Sequence, residues 1–81
     1  MTEDLITAVR EELAVAAPDT PAHAPADAEL TADLGVDSLS VLELVARLEY
    51  RFGVVVPDED WARMRSIAAI ADYLAHALVH S

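Results

Sequence analysis

A chain of 81 residues holds one small domain with a modest core and no room for a second, so a single domain over 1–81 is expected. Fifteen acids stand against five basic residues, all Arg, and the formal net charge of −10 speaks against nucleic acid and anionic membrane and for protein partners with basic patches. Hydrophobic residues make up 54%, with two Gly and no Cys, which favours helices over sheet or disorder and excludes disulfides and thiolate metal sites.

The start, Met1-Thr2-Glu3-Asp4, is acidic where a secretory signal is basic, and no apolar run is long enough to span a bilayer. A cytoplasmic protein is the expectation. Leu5, Ile6, Val9 and Leu13 share one face of a helix predicted over about residues 3–16, with Thr2 as its cap and Glu11 and Glu12 turned outward. Pro18 ends it. Residues 17–36 hold Pro18, Pro21 and Pro25 among Ala, Asp and Thr without periodicity, a loop of unusual length for a compact domain. Leu30 and Leu34 are the side chains available to pin its second half to the core.

The run Asp33-Leu34-Gly35-Val36-Asp37-Ser38-Leu39 places a hydroxyl where this loop turns into a strongly apolar helix. Gly35 frees the backbone to turn, and Asp37 is a natural N-cap. Over residues 38–52, at about 100° per residue, Val41, Leu44, Val45, Leu48 and Phe52 fall within an arc of about 100°, the predicted core face. Leu39, Leu42 and Ala46 lie on the other side of Ser38, flanked by Glu43 and Glu49. An apolar strip rimmed by acids beside one serine reads as a protein-docking surface.

Gly53 is a stop signal for this helix. Val54-Val55-Val56 is too isolated for a sheet and is expected as a buried connector. Pro57 with Asp58, Glu59 and Asp60 opens a short third helix, whose N-terminal dipole suits the acids and whose apolar contacts are Trp61 and Met64. Ser66 caps a last helix in which Ile67, Ile70, Ala71, Leu74 and Leu78 recur at helical spacing. The expectation is an all-α four-helix bundle with a long loop between helices 1 and 2 and a short third helix.

Ser38 has no base within local reach. Gly35 is misplaced for a nucleophile elbow, no second Gly follows and no strand precedes, which argues against a serine hydrolase. From the local pattern alone Ser38 is either a plain helix-start residue or a site modified by another protein. His76 and His80 share a helical face but are only two ligands, and a C-terminal turn is a favourable place for His. Asp58-Glu59-Asp60 lacks the ligand spacing and glycine of a calcium loop. No metal is expected, and Trp61 reads as a half-buried core aromatic.

On these residues the chain resembles the acyl carrier protein family. The match runs from about residue 32 to 74 through Asp33-Leu34-Gly35-Val36-Asp37-Ser38-Leu39, Glu43-Leu44-Val45, Leu48-Glu49, Phe52-Gly53, Val56-Pro57-Asp58-Glu59-Asp60 and Ile70-Ala71-Asp72-Tyr73-Leu74. The resemblance implies a non-catalytic carrier whose Ser38 is esterified by 4'-phosphopantetheine, with Asp37 and Leu39 beside the attachment point. A phosphopantetheinyl transferase would supply the arm from coenzyme A, using a divalent metal. The arm's thiol would then hold acyl groups as thioesters for a ketosynthase, an acyltransferase and tailoring enzymes. The docking residues implied are Asp37, Leu39, Glu43 and Glu49, with Asp58, Glu59 and Asp60; Leu42 and Ala46 join them from the strip. A monomer is expected.

Ser40 stands where fatty-acid carriers often have an acid, and Arg47, Tyr50 and Arg51 dilute the negative charge of the same helix. With no Lys and many Ala, this tilts the reading toward polyketide or related specialised metabolism, the alternatives being a fatty-acid carrier and an unmodified helical interaction module. The last helix carries Ala68, Ala69, Ala71, Ala75 and Ala77, expected to allow close packing rather than to leave a cleft for cargo.

Overall fold

The computed structural model describes residues 4–79. Asp4 caps the first helix, α1 (Leu5–Ala16). Its Oδ1 accepts from the N–H of Ile6 at 3.1 Å and of Thr7 at 3.4 Å, and its Oδ2 accepts from the Thr7 hydroxyl at 2.9 Å. These bonds satisfy donors that a helix start otherwise leaves open. Thr2, the cap expected from sequence, lies outside the described residues. Ala8, Val9, Leu13 and Ala16 are buried, whereas Ile6, assigned to the same face, sits at its edge and is 38% exposed.

The long helix α2 (Ser38–Phe52) buries Leu44, Val45 and Leu48, with Val41 and Phe52 packed at the margin of the core. Gly53 ends it in the left-handed region at φ 67°, so that its own N–H and that of Val54 both return to the Glu49 carbonyl, at 2.9 and 3.2 Å. The following connector is only partly buried. Val54 and Val56 point inward and Val55 is 81% exposed, because an extended segment alternates its side chains.

The third helix is a 3₁₀ helix (Asp58–Arg63), with no side-chain cap and with Asp58, Glu59 and Asp60 in its first turn. Met64 is buried, and half-buried Trp61 donates its indole N–H to the Val56 carbonyl at 3.3 Å. The last helix, α3 (Ile67–Val79), starts with the Ser66 hydroxyl accepting from the Ala69 N–H at 3.1 Å. It buries Ile67, Ile70, Ala71 and Leu74, while Leu78 is 38% exposed. Of its other alanines, Ala68, Ala69 and Ala77 are half-buried and Ala75 is exposed.

Helix α1 packs against both α2 and α3, and the 3₁₀ helix lies on α3. The fully buried side chains Val9, Leu30, Leu44, Val45, Ile67, Ile70 and Leu74 come from all three α-helices and from the long loop. The architecture is an all-helical four-helix bundle without strands among the described residues. Glu12 does not turn outward as expected. Its side chain is 15% exposed and takes Arg47 at 2.8 Å and Arg51 at 3.0 Å from α2, with Glu11 also meeting Arg51 at 3.0 Å.

The 17–36 segment is far more ordered than its composition suggests. Successive turns close between Thr20 and Ala17, Ala24 and Pro21, and Ala28 and Pro25. The Arg10 guanidinium holds the Ala24 carbonyl at 2.8 Å, and Ala24, Leu30 and Val36 are buried while Leu34 is half-buried. A single antiparallel bridge joins Glu29 to Ser66, with Leu30 N–H donating to the Arg65 carbonyl and Ala68 N–H to the Ala26 carbonyl, each at 2.8 Å. This clip ties the loop to the start of α3.

Candidate functional site

Three local devices present Ser38. Val36 is buried and its N–H donates to the Leu30 carbonyl at 2.8 Å, which anchors the chain just ahead of the helix. Gly35 turns at φ 71°, a conformation that L side chains rarely adopt. Asp37 then caps α2, its Oδ1 accepting from the Ser40 N–H at 2.7 Å. The bonds from the Ser40 backbone N–H, then its hydroxyl, hold the Asp37 carboxyl below the usual range, so it stays ionised. Ser38 follows as the first residue of α2, and it is exposed.

Ser38 opens onto a cleft between α2 and the segment leading into α3. One wall is apolar, made by Val41, Leu42, Trp61 and Met64, and the polar side is made by Glu29, Thr31 and Arg65. Neither His23 nor His76 lines it. The carboxylate of the cleft, Glu29, is paired with Arg65, so the arrangement suits a hydroxyl that receives a group from another enzyme. Among the described residues no cluster of His, Cys, Asp or Glu is suited to a metal ion; His80 lies outside them.

The residues singled out for docking fall into two sets. Leu39, 75% exposed, and Leu42, 53% exposed, form with Ala46 and Glu43 a free surface beside Ser38, and Asp58 and Glu59 are exposed on the 3₁₀ helix. Glu49 and Asp60 are tied inward instead. Glu49 Oε2 accepts from the Val56 N–H at 2.8 Å, and Asp60 Oδ2 accepts from the Tyr73 hydroxyl at 2.6 Å. That last bond raises the Tyr73 phenol above its ordinary value.

Sequence reasoning did not assign Tyr50, 93% exposed, to the strip. Eleven residues after Leu39, it lies on the same side of α2 at about 100° per residue, so the signal was present. Glu29, Thr31 and Arg65 were also missed. They reach the cleft through the clip between loop and α3, which leaves no local pattern in the chain.

A family model described as a phosphopantetheine attachment site matches residues 3–74. An acyl carrier protein of Helicobacter pylori (strain G27) is 38% identical over 72 residues, covering 89% of this chain and 87% of the relative. One from Acidothermus cellulolyticus is 32% identical over 77 residues, covering 95% and 92%. One from Syntrophobacter fumaroxidans is 51% identical over 49 residues, covering 60% of each. Together with an all-helical bundle that holds an unactivated serine at a helix start, these matches place the chain in the acyl carrier protein family, as a non-catalytic carrier of covalently attached 4'-phosphopantetheine.

Proposed function

We propose that Ser38 is the residue that carries the arm, and that the protein presents acyl intermediates to polyketide or related specialised-metabolite enzymes. The observation that carries the attachment assignment is an exposed Ser38 at the first position of α2, inside the matched span 3–74, with no base of its own. The surroundings fit the group. An exposed hydroxyl gives a transferase access, and the cleft offers an apolar wall of Val41, Leu42, Trp61 and Met64 for the arm's methyl and methylene groups and a polar side of Glu29, Thr31 and Arg65 for its amides. When bound, the arm supplies a thiol that holds acyl groups as thioesters.

Asp37 keeps a fixed negative charge at the attachment point, and Leu39, Leu42, Glu43 and Ala46 offer an apolar strip with an acidic rim to basic partner patches. Asp58 and Glu59 extend that field. Glu49 and Asp60 contribute as fixed charges rather than as free side chains. No helix among the described residues is long and apolar enough to cross a membrane. We take the chain as a single-domain cytoplasmic monomer.

The polyketide assignment is supported by Ser40 in place of an acid, by the absence of Lys and by the Ala-rich composition. The pairing of Arg47 and Arg51 with Glu11 and Glu12 favours a fatty-acid carrier as the second reading, because it cancels the positive charge that set this α2 apart. Incubation with coenzyme A, magnesium and a broad-specificity transferase is expected to add one phosphopantetheinyl mass, and Ser38→Ala to add none. An unchanged wild-type mass with several transferases overturns the attachment assignment and favours an unmodified interaction module. Malonyl-loaded protein offered to a polyketide-type and a fatty-acid-type ketosynthase then separates the pathways by which one turns it over.

A further inference from the structure

We propose that Arg65 is the contact for the arm's phosphate, an inference that rests on Ser38 as the attachment residue. The phosphodiester formed on the Ser38 oxygen carries one negative charge into a region already occupied by Asp37 and Glu29, on a chain of net charge −10. Anion beside anion is unfavourable unless a cation stands close. The chain has five basic residues, and four of them are engaged elsewhere. Arg10 holds the loop carbonyl of Ala24, Arg47 and Arg51 pair with Glu12 on α1, and Arg63 lies over the Tyr73 ring at 5.2 Å.

Arg65 alone among them lines the cleft that Ser38 lines. Its backbone is fixed, since its carbonyl accepts from the Leu30 N–H at 2.8 Å beside the Glu29–Ser66 bridge. Its side chain is 66% exposed and uses Nη2 on Glu29 Oε2 at 2.8 Å. A guanidinium has five N–H donors in a planar fork, so the edge formed by Nε–H and one Nη2–H can serve a phosphate while the other Nη2–H keeps its carboxylate. Glu29 balances the Arg65 charge before loading, and because an exposed pair of this kind is worth little, the phosphate can compete for the guanidinium.

The test uses ¹⁵N-labelled protein loaded with phosphopantetheine, its single mass addition checked first. Wild type, Arg65→Gln and Arg63→Gln are compared by ³¹P NMR. Arg65→Gln is expected to shift and narrow the phosphodiester resonance as the phosphate is released, and Arg63→Gln to leave it in place. In wild type the Arg65 Nε–H resonance is expected to move between the unloaded and loaded forms. A phosphorus resonance unmoved in folded Arg65→Gln overturns the proposal. If that variant does not fold, the wild-type Nε–H decides: a shift on loading supports the contact and its absence overturns it. Failure of Ser38 to load at all overturns the attachment assignment, a separate result read from mass alone.

Discussion

Leu42 and Leu44 stand two positions apart on α2 and face opposite ways, which makes them a direct test of how the helix divides its labour. Leu44 is 0% exposed and Leu42 is 53% exposed beside Ser38. Leu44→Ala removes a side chain surrounded on all sides, at a cost of about 3 kcal/mol within the usual range of roughly 2–5. A domain of this length has a total stability of roughly 4–12 kcal/mol, so the loss is a large fraction of it. The melting temperature is expected to fall by about 12–24 °C, at about 4–8 °C per kcal/mol. Leu42→Ala gives up a half-exposed contact with the cleft and is expected to cost about 0.5 kcal/mol or less. Urea unfolding followed by far-UV circular dichroism measures both. Partner affinity of the loaded protein should show the reverse order, with folded Leu42→Ala weakened. A Leu42→Ala loss above about 1.5 kcal/mol, or a Leu44→Ala loss below about 1 kcal/mol, would refute the division of α2 into a core face and a free face.

Gly53→Ala is expected to destabilise by about 1 kcal/mol, because a Cβ there meets nothing within 4 Å and only the left-handed backbone resists it. Denaturant unfolding showing no loss would refute that account of the α2 terminus. The Glu12 carboxyl is held below its ordinary value chiefly by the hydrogen bond from Arg47. Its contribution is therefore complete above the unfolded Glu value near about 4.3 and drains away as pH falls through the lower folded value. Glu12→Gln should cost about 1 kcal/mol at pH 7 and progressively less in acid; a difference that does not change with pH contradicts the inter-helix pairing. In a Tyr50→Phe background, absorbance titration should find Tyr73 ionising above the ordinary value of about 10, with Asp60→Asn bringing it back. The raised phenol stabilises the fold below the unfolded value, and that contribution is lost as pH rises through the folded one. A midpoint unmoved by Asp60→Asn would exclude the bond as the cause.

Much of the site was legible because it is made of neighbours in the chain. Gly35, Asp37, Ser38 and Gly53 act on backbone within a few residues of themselves, so turn, cap and stop signals locate them. The two faces of α2 follow from the 3.6-residue repeat, which assigned Leu44, Val45 and Leu48 inward and Leu39, Leu42 and Ala46 outward. Periodicity was less informative at helix edges. Ile6 and Leu78 are each 38% exposed because a face has margins that a wheel does not show. At 17–36 prolines and small polar residues read as a long loop pinned by Leu30 and Leu34, as found, but composition does not show what orders it. Hydrogen bonds to Arg65 and Ala68, together with burial of Ala24 and Val36, give that segment its form.

The order of residues alone determined where α2 begins and ends, which serine opens it, and which apolar strip lies beside it, since each depends on contacts spanning only a turn or two. Only the folded chain decided what faces that serine. Glu29, Thr31 and Arg65 come to the cleft through a bridge between segments 37 positions apart, counted from Glu29 to Ser66, and Arg47 and Arg51 meet α1 across an interface with no local echo. The physical reason is the same in both cases. A carboxylate selects its arginine by proximity in space, and proximity between distant segments is created by burial of the core they share.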